Sequence, residues 1–195
     1  MNNRSSLLGS VLLLCAALLW STAGICVKLL PWNSFFIASA RGLICTLLLF
    51  VLRFVHGGGR FVPVRLSRHN VMAGTAMFLT STLFMLANKL TTAANAIVLQ
   101  YIAPVLVLLY TMVVEKKRPS PLEVGLTLTV CAGCVLAFSD ELQGGGTLGN
   151  FLALLSGVTF AGLILINRME KTIPEDGQII GCCLSFVCCL PFAFL

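Results

Sequence analysis

Seven apolar runs, each close to the length that crosses a bilayer, fill most of this chain, with only short polar breaks between them. They are Leu7–Leu30, Ser34–Val55, Asn70–Leu90, Ala93–Val114, Leu122–Phe138, Leu148–Asn167 and Ile179–Leu195. A helix needs about 20 apolar residues to span about 30 Å of hydrocarbon. Inside that layer the backbone has no water to bond to, so a run of this kind is stable only as a helix. Composition closes off the alternatives. Of 195 residues, 58% are apolar and 10% charged, and mean hydropathy is +0.98. A soluble domain is about one-quarter charged and could not hide so much apolar surface at this size. The charge density of a disordered chain and the polar periodicity of a coiled coil are both absent. The expected fold class is all-α: a polytopic transmembrane helical bundle of about seven spans.

The breaks carry their own chemistry. Pro31-Trp32-Asn33-Ser34 reads as a tight turn, and His56-Gly57-Gly58-Gly59-Arg60 opens a basic loop. Pro119-Ser120-Pro121 ends one helix and starts another, and Gly144-Gly145-Gly146 reads as a hinge. Ten cationic residues fall on the N-terminal side of the spans: Arg4; Arg53, Arg60, Arg65 and Arg68; Lys116, Lys117 and Arg118; Arg168 and Lys171. Lys28 and Lys89 fall on the other side, and Arg41 lies within a span. The positive-inside rule then puts the N-terminus in the cytoplasm of a multi-pass cell-membrane protein (inner or plasma membrane), and the net charge of +6 needs no nucleic-acid partner. Arg4 followed by an apolar stretch also resembles a secretory leader. The run continues through Ile25–Leu30, however, which favours an anchor. The last run reaches Leu195 with no exit loop, so the chain reads as cut short. All nine cysteines sit inside apolar runs, where they read as reduced packing residues.

Several segments resemble the EamA family of the drug/metabolite transporter superfamily. Trp20 is followed eight residues on by Lys28 in the first run, with Ser21 where that family usually has glycine. Ala38-Ser39-Ala40-Arg41 is similar to its embedded arginine. Ala87-Asn88-Lys89, Ala93-Ala94 and Ile102-Ala103-Pro104-Val105 resemble the join of its third and fourth helices. Val113-Val114-Glu115, Gly125 and Gly133 continue the match in order. The resemblance implies a five-helix unit over residues 1–139 and an incomplete, inverted second unit over residues 140–195, with roughly three helices missing.

Among individual residues, Arg41 stands out. It lies seven residues into its span, about 10 Å from the outer edge at 1.5 Å per residue. A charge at that depth either faces an aqueous cavity and holds an anionic group, or anchors neighbouring helix ends by snorkelling. Lys28 and Lys89 sit at outer helix ends, where with Arg41 they would make an external cationic vestibule favouring carboxylate-bearing solutes; simple interfacial anchoring is the plainer reading of each. Pro104 lacks the N–H that would bond the Gln100 carbonyl, so it is expected to kink the fourth span. Gln100 and Tyr101 stand beside that kink and Trp20 lies deep in its own span. These four residues are expected to line a central pathway, the alternative being helix–helix hydrogen bonding without a solute. Thr80-Ser81-Thr82 reads as hydroxyls bonded to their own helix. Ala153, Gly157 and Ala161 form a close-packing face. Cys131 and Cys134, and the pairs Cys182-Cys183 and Cys188-Cys189, lack accompanying His or acidic ligands, so no metal or cofactor is expected.

All seven acidic residues lie in loops or at helix ends, so no buried carboxylate is expected for a proton relay. Both histidines, His56 and His69, fall in the basic loop, and no Walker-type loop occurs, which argues against an intramembrane hydrolase or an ATPase. The expectation is a non-enzymatic secondary transporter, a permease or exporter of small organic metabolites such as amino acids. It would work by alternating access between inverted repeats in a lipid bilayer, and a homo-oligomer is compatible with it. A nucleotide-sugar or phosphorylated-sugar transporter and a non-transporting membrane scaffold are the alternatives.

Overall fold

The computed structural model describes residues 29–60, 62–138 and 146–194, together with seven positions between 9 and 19. The chain falls into two compact units, Met1–Pro31 and Trp32–Leu195. In the first unit the described positions from 9 to 19 are helical; Trp20 and Lys28 lie outside the described residues. The second unit carries α1 (Ser34–His56), α2 (Arg68–Leu90), α3 (Ala93–Gln100), α4 (Ile102–Val113), α5 (Pro121–Phe138), α6 (Thr147–Asn167) and α7 (Pro174–Cys189). A 3₁₀ turn, Leu190–Phe194, follows α7, and there is no strand among the described residues. Ser34–His56, Arg68–Leu90, Ala93–Val113, Thr147–Asn167 and Pro174–Ala193 are long and apolar enough to cross a membrane, and α5 is apolar over Pro121–Gly133. The molecule is the expected all-helical membrane bundle.

Local sequence explains where each helix starts. The Asn33 side chain accepts from the Phe35 N–H at 3.2 Å, Ser67 from Asn70 at 3.2 Å and Thr92 from Asn95 at 3.1 Å, each filling an orphan donor of a first turn. Ser120 and Glu123 make a reciprocal capping box before α5: the Ser120 N–H donates to Glu123 at 2.8 Å and the Leu122 N–H to the Ser120 hydroxyl at 3.2 Å. The basic loop turns on Gly58 and Gly59, whose φ of 64° and 80° is left-handed and suits glycine. The fourth apolar run breaks at Tyr101, between α3 and α4, three residues before Pro104. That is the kink a missing proline N–H demands. One boundary differs from expectation. The last run starts not at Ile179 but at Pro174, with proline at N1 and Glu175 and Asp176 in the first turn. Apolarity skips a polar first turn, although acids there suit the positive end of the helix dipole.

Packing is inverted relative to a soluble protein. Polar groups are inside: Ser39, Asn70, Asn88, Asn95, Ser156 and Asp176 are all buried, while Leu43, Ile44, Leu47, Leu48 and Val51 of α1 face outward. Hydrocarbon solvates leucine as well as a core does, so the helices associate through close backbone approach and hydrogen bonds instead. Small residues make that approach possible. Ala87, Ala96 and Ala153 form one fully buried cluster, and Ala103, Val107 and Ala161 another. A Cβ built on Gly149 would lie 2.7 Å from backbone atoms of Leu90 and Thr91, and one on Gly157 would lie 3.0 Å from the Gln100 carbonyl oxygen. The face of Ala153, Gly157 and Ala161 is therefore a packing face, as expected, and α6 uses it to lie across α2, α3 and α4. At the same end the Thr91 hydroxyl donates to the Asn150 side chain at 2.6 Å. Cys15, Cys45, Cys131, Cys182, Cys183, Cys188 and Cys189 are free thiols.

Candidate functional site

Two helices, α1 and α2, flank α7. It runs between α1 and α2 on seams of glycine: a Cβ on Gly42 would sit 2.7 Å from the Cys182 carbonyl oxygen, and one on Gly181 2.9 Å from that of Gly74. Beside this crossing lies a cleft of about 310 Å³, counting its open mouth. Arg41, Cys45, Ser81, Met85, Cys182 and Ser185 are among its lining residues. The clear interior admits little more than a water molecule. Among the described residues, Arg41 is the single charged group of the lining, and no acidic side chain shares it. Arg41 is an exposed residue that shares this lining with the hydroxyls of Ser81 and Ser185 and the thiols of Cys45 and Cys182. The Ser81 hydroxyl donates to the Phe78 carbonyl at 3.1 Å.

Ser81, Ser185, Cys45 and Cys182 are the lining residues that apolarity alone passes over. Their signal was periodicity. Arg41 and Cys45 on α1, Met77, Ser81 and Met85 on α2, and Gly181 and Ser185 on α7 each repeat every four residues and so share a face. Thr80 behaves as a self-bonded hydroxyl, 2.7 Å from the Ala76 carbonyl, and also meets Thr159 at 3.0 Å.

The other expected pathway residues are placed elsewhere in the bundle. Gln100 and Pro104 are half-buried, and Tyr101, at the break, is exposed. The Gln100 carbonyl lies against Gly157 of α6, and none of the three is among the lining residues of the Arg41 cleft. Lys89 is half-buried in the last turn of α2 and is likewise not part of the cleft lining. Trp20 and Lys28 lie outside the described residues.

At the opposite, arginine-rich end of α1 the structure corrects the sequence reading: a buried carboxylate is present. Asp176 has no exposed surface and forms an ion pair with Arg53. Its second oxygen accepts from the Arg65 backbone N–H at 3.1 Å and from the Asn70 amide at 3.3 Å. Asn70, also fully buried, donates to the Arg65 carbonyl at 2.8 Å and accepts from the Ile173 N–H at 2.8 Å. Arg53 donates further to the Pro63 carbonyl at 3.2 Å. Asp176 sits in a helix first turn, as a surface acid would. Burial comes from the partner ends that fold over it. Among the described residues no three His, Cys, Asp or Glu side chains gather as a metal site.

Comparison with known proteins places this architecture. The chain is 27% identical to the uncharacterised inner membrane transporter YicL of Salmonella typhimurium, over 94% of its own length and 66% of that protein's. It therefore spans a little under two thirds of this relative. No solved structure matches the chain significantly. The model of the EamA-like transporter family matches residues 7–139, a stretch that contains α1 to α5 and Arg41. A multi-pass helical bundle with an embedded arginine, matched over more than half its length by that model, belongs to the EamA-like transporter family.

Proposed function

We propose that this chain forms part of a secondary transporter, not an enzyme, that moves small organic metabolites bearing an anionic group, amino acids among them, across a cell membrane. The observation that carries the reading is Arg41, a guanidinium within a span, lining a cleft between α1, α2 and α7 that contains no acidic side chain among the described residues. In so apolar a surrounding, one fixed cation attracts a carboxylate far more strongly than in water. Family membership and the transporter relative support the same class. Residues 1–139 would be one inverted-repeat unit and residues 140–195 the beginning of the next, rocking about a midplane site. Trp20, Gln100, Tyr101 and Pro104 would line the route beyond the cleft, with Lys28 and Lys89 at its external mouth and the N-terminus in the cytoplasm.

The test is solute uptake into liposomes by the complete reading frame, with labelled amino acids as the probe and Arg41→Ala as the control. Saturable uptake that falls at least tenfold in the variant supports the proposal. Uptake indifferent to Arg41→Ala removes its central residue. The 195-residue chain by itself is expected not to transport, because an alternating route needs both units.

A further inference from the structure

The Arg41 cleft is too narrow for a metabolite as it stands, so a solute can occupy it only when α1, α2 and α7 part. What holds them together at one end is the knot around Asp176. We infer that Arg53, Asp176 and Asn70 form the latch of a gate on the arginine-rich side, closing the route beneath the Arg41 cleft. This inference rests on the transporter reading and adds gating residues that it lacks.

Two features point to a latch more than to a static staple. It spans the boundary of the family match: Arg53, Arg65 and Asn70 lie within residues 7–139, whereas Asp176 and Ile173 lie beyond it. The contact therefore joins the helices that a rocking motion would separate. The knot is also incompletely satisfied. Arg53 Nε is buried without a hydrogen-bond partner among the described residues, so opening to water returns a donor its partner while breaking the pair.

The experiment needs no solute. Sealed membrane vesicles of either orientation, carrying the whole protein, are treated from one side with a membrane-impermeant maleimide. Mass spectrometry reads modification of the native Cys182, which lines the cleft. In the unaltered protein, labelling from the arginine-rich side is slow. Asp176→Asn, which removes the charge and keeps the shape, is expected to raise it severalfold. Arg53→Lys, which keeps the charge and loses the fork, is expected to raise it less, and it serves if the first variant fails to assemble. Unchanged Cys182 labelling in either variant that assembles in the membrane overturns the latch. So does a rise shared equally by Cys131 on α5, since that is general loosening. Because labelling is independent of flux, failure of the latch and failure of the transporter reading are separable.

Discussion

Arg53 and Asp176, 123 residues apart in the chain, are ion-paired in the interior, at the point where the end of α1 meets the start of α7. Two backbone groups and one amide complete the site: the Arg65 N–H, the Pro63 carbonyl and Asn70. The charge is thus neutralised and hydrogen-bonded, the condition for burying a carboxylate at all.

Removing only one partner should be costly. Arg53→Met strands the Asp176 carboxylate and is expected to destabilise the folded protein by about 3–5 kcal/mol. Arg53→Met combined with Asp176→Leu should recover most of that loss, because no charge is then buried. Thermal unfolding in detergent measures both. A single variant as stable as the unaltered chain would show that the pair is solvated.

Two helix glycines should respond with opposite sign. Gly149→Ala drives a Cβ to 2.7 Å from the Leu90–Thr91 backbone and should cost about 1–3 kcal/mol. Gly125→Ala on α5 meets nothing within 4 Å among the described residues. It should be neutral or gain up to about 1 kcal/mol from helix propensity. The same unfolding assay compares them.

Restoring the fourth span should separate stability from function. Pro104→Ala returns a donor to the Gln100 carbonyl and is expected to leave the thermal transition unchanged or raised. If the kink serves the route, uptake by the complete protein falls severalfold. Full uptake with a straightened helix would remove the kink from the mechanism.

Charge at Arg41 should matter to flux and little to folding, since the side chain is exposed to the cleft and outside the ion pairs observed among the described residues. Arg41→Lys is expected to retain part of the uptake that Arg41→Ala abolishes. Parallel loss of stability and uptake in both variants would instead mark Arg41 as a helix anchor.

Tags in the loop at Lys116–Arg118 and in the connection at Ser139–Glu141 should report from opposite sides of the membrane, the first cytoplasmic. Impermeant labelling of intact cells decides this, and a cytoplasmic Ser139 would invert the topology.

Much of the architecture was legible in the residues themselves. Span lengths, the helix boundary at Pro119-Ser120-Pro121, the break before Pro104, and the packing face of Ala153, Gly157 and Ala161 are local properties, set by transfer free energy, a missing N–H or side-chain size. Arg41 was legible for a related reason: a charge inside an apolar run is anomalous wherever the run folds.

The remainder depended on which helix faces meet. Asp176 in the first turn of α7 looks like any acid at a helix start, and only the approach of Arg53, Arg65 and Asn70 buries it. Close approach at Gly157 brings α6 against Gln100 and Ile102, and glycines at 42, 74 and 181 let α7 pack on α1 and α2, pairings that no single segment announces. Hydropathy is a one-dimensional quantity that decides what enters the bilayer. Partner choice within it is settled by shape and hydrogen bonds between distant residues, and those exist only once the chain has packed.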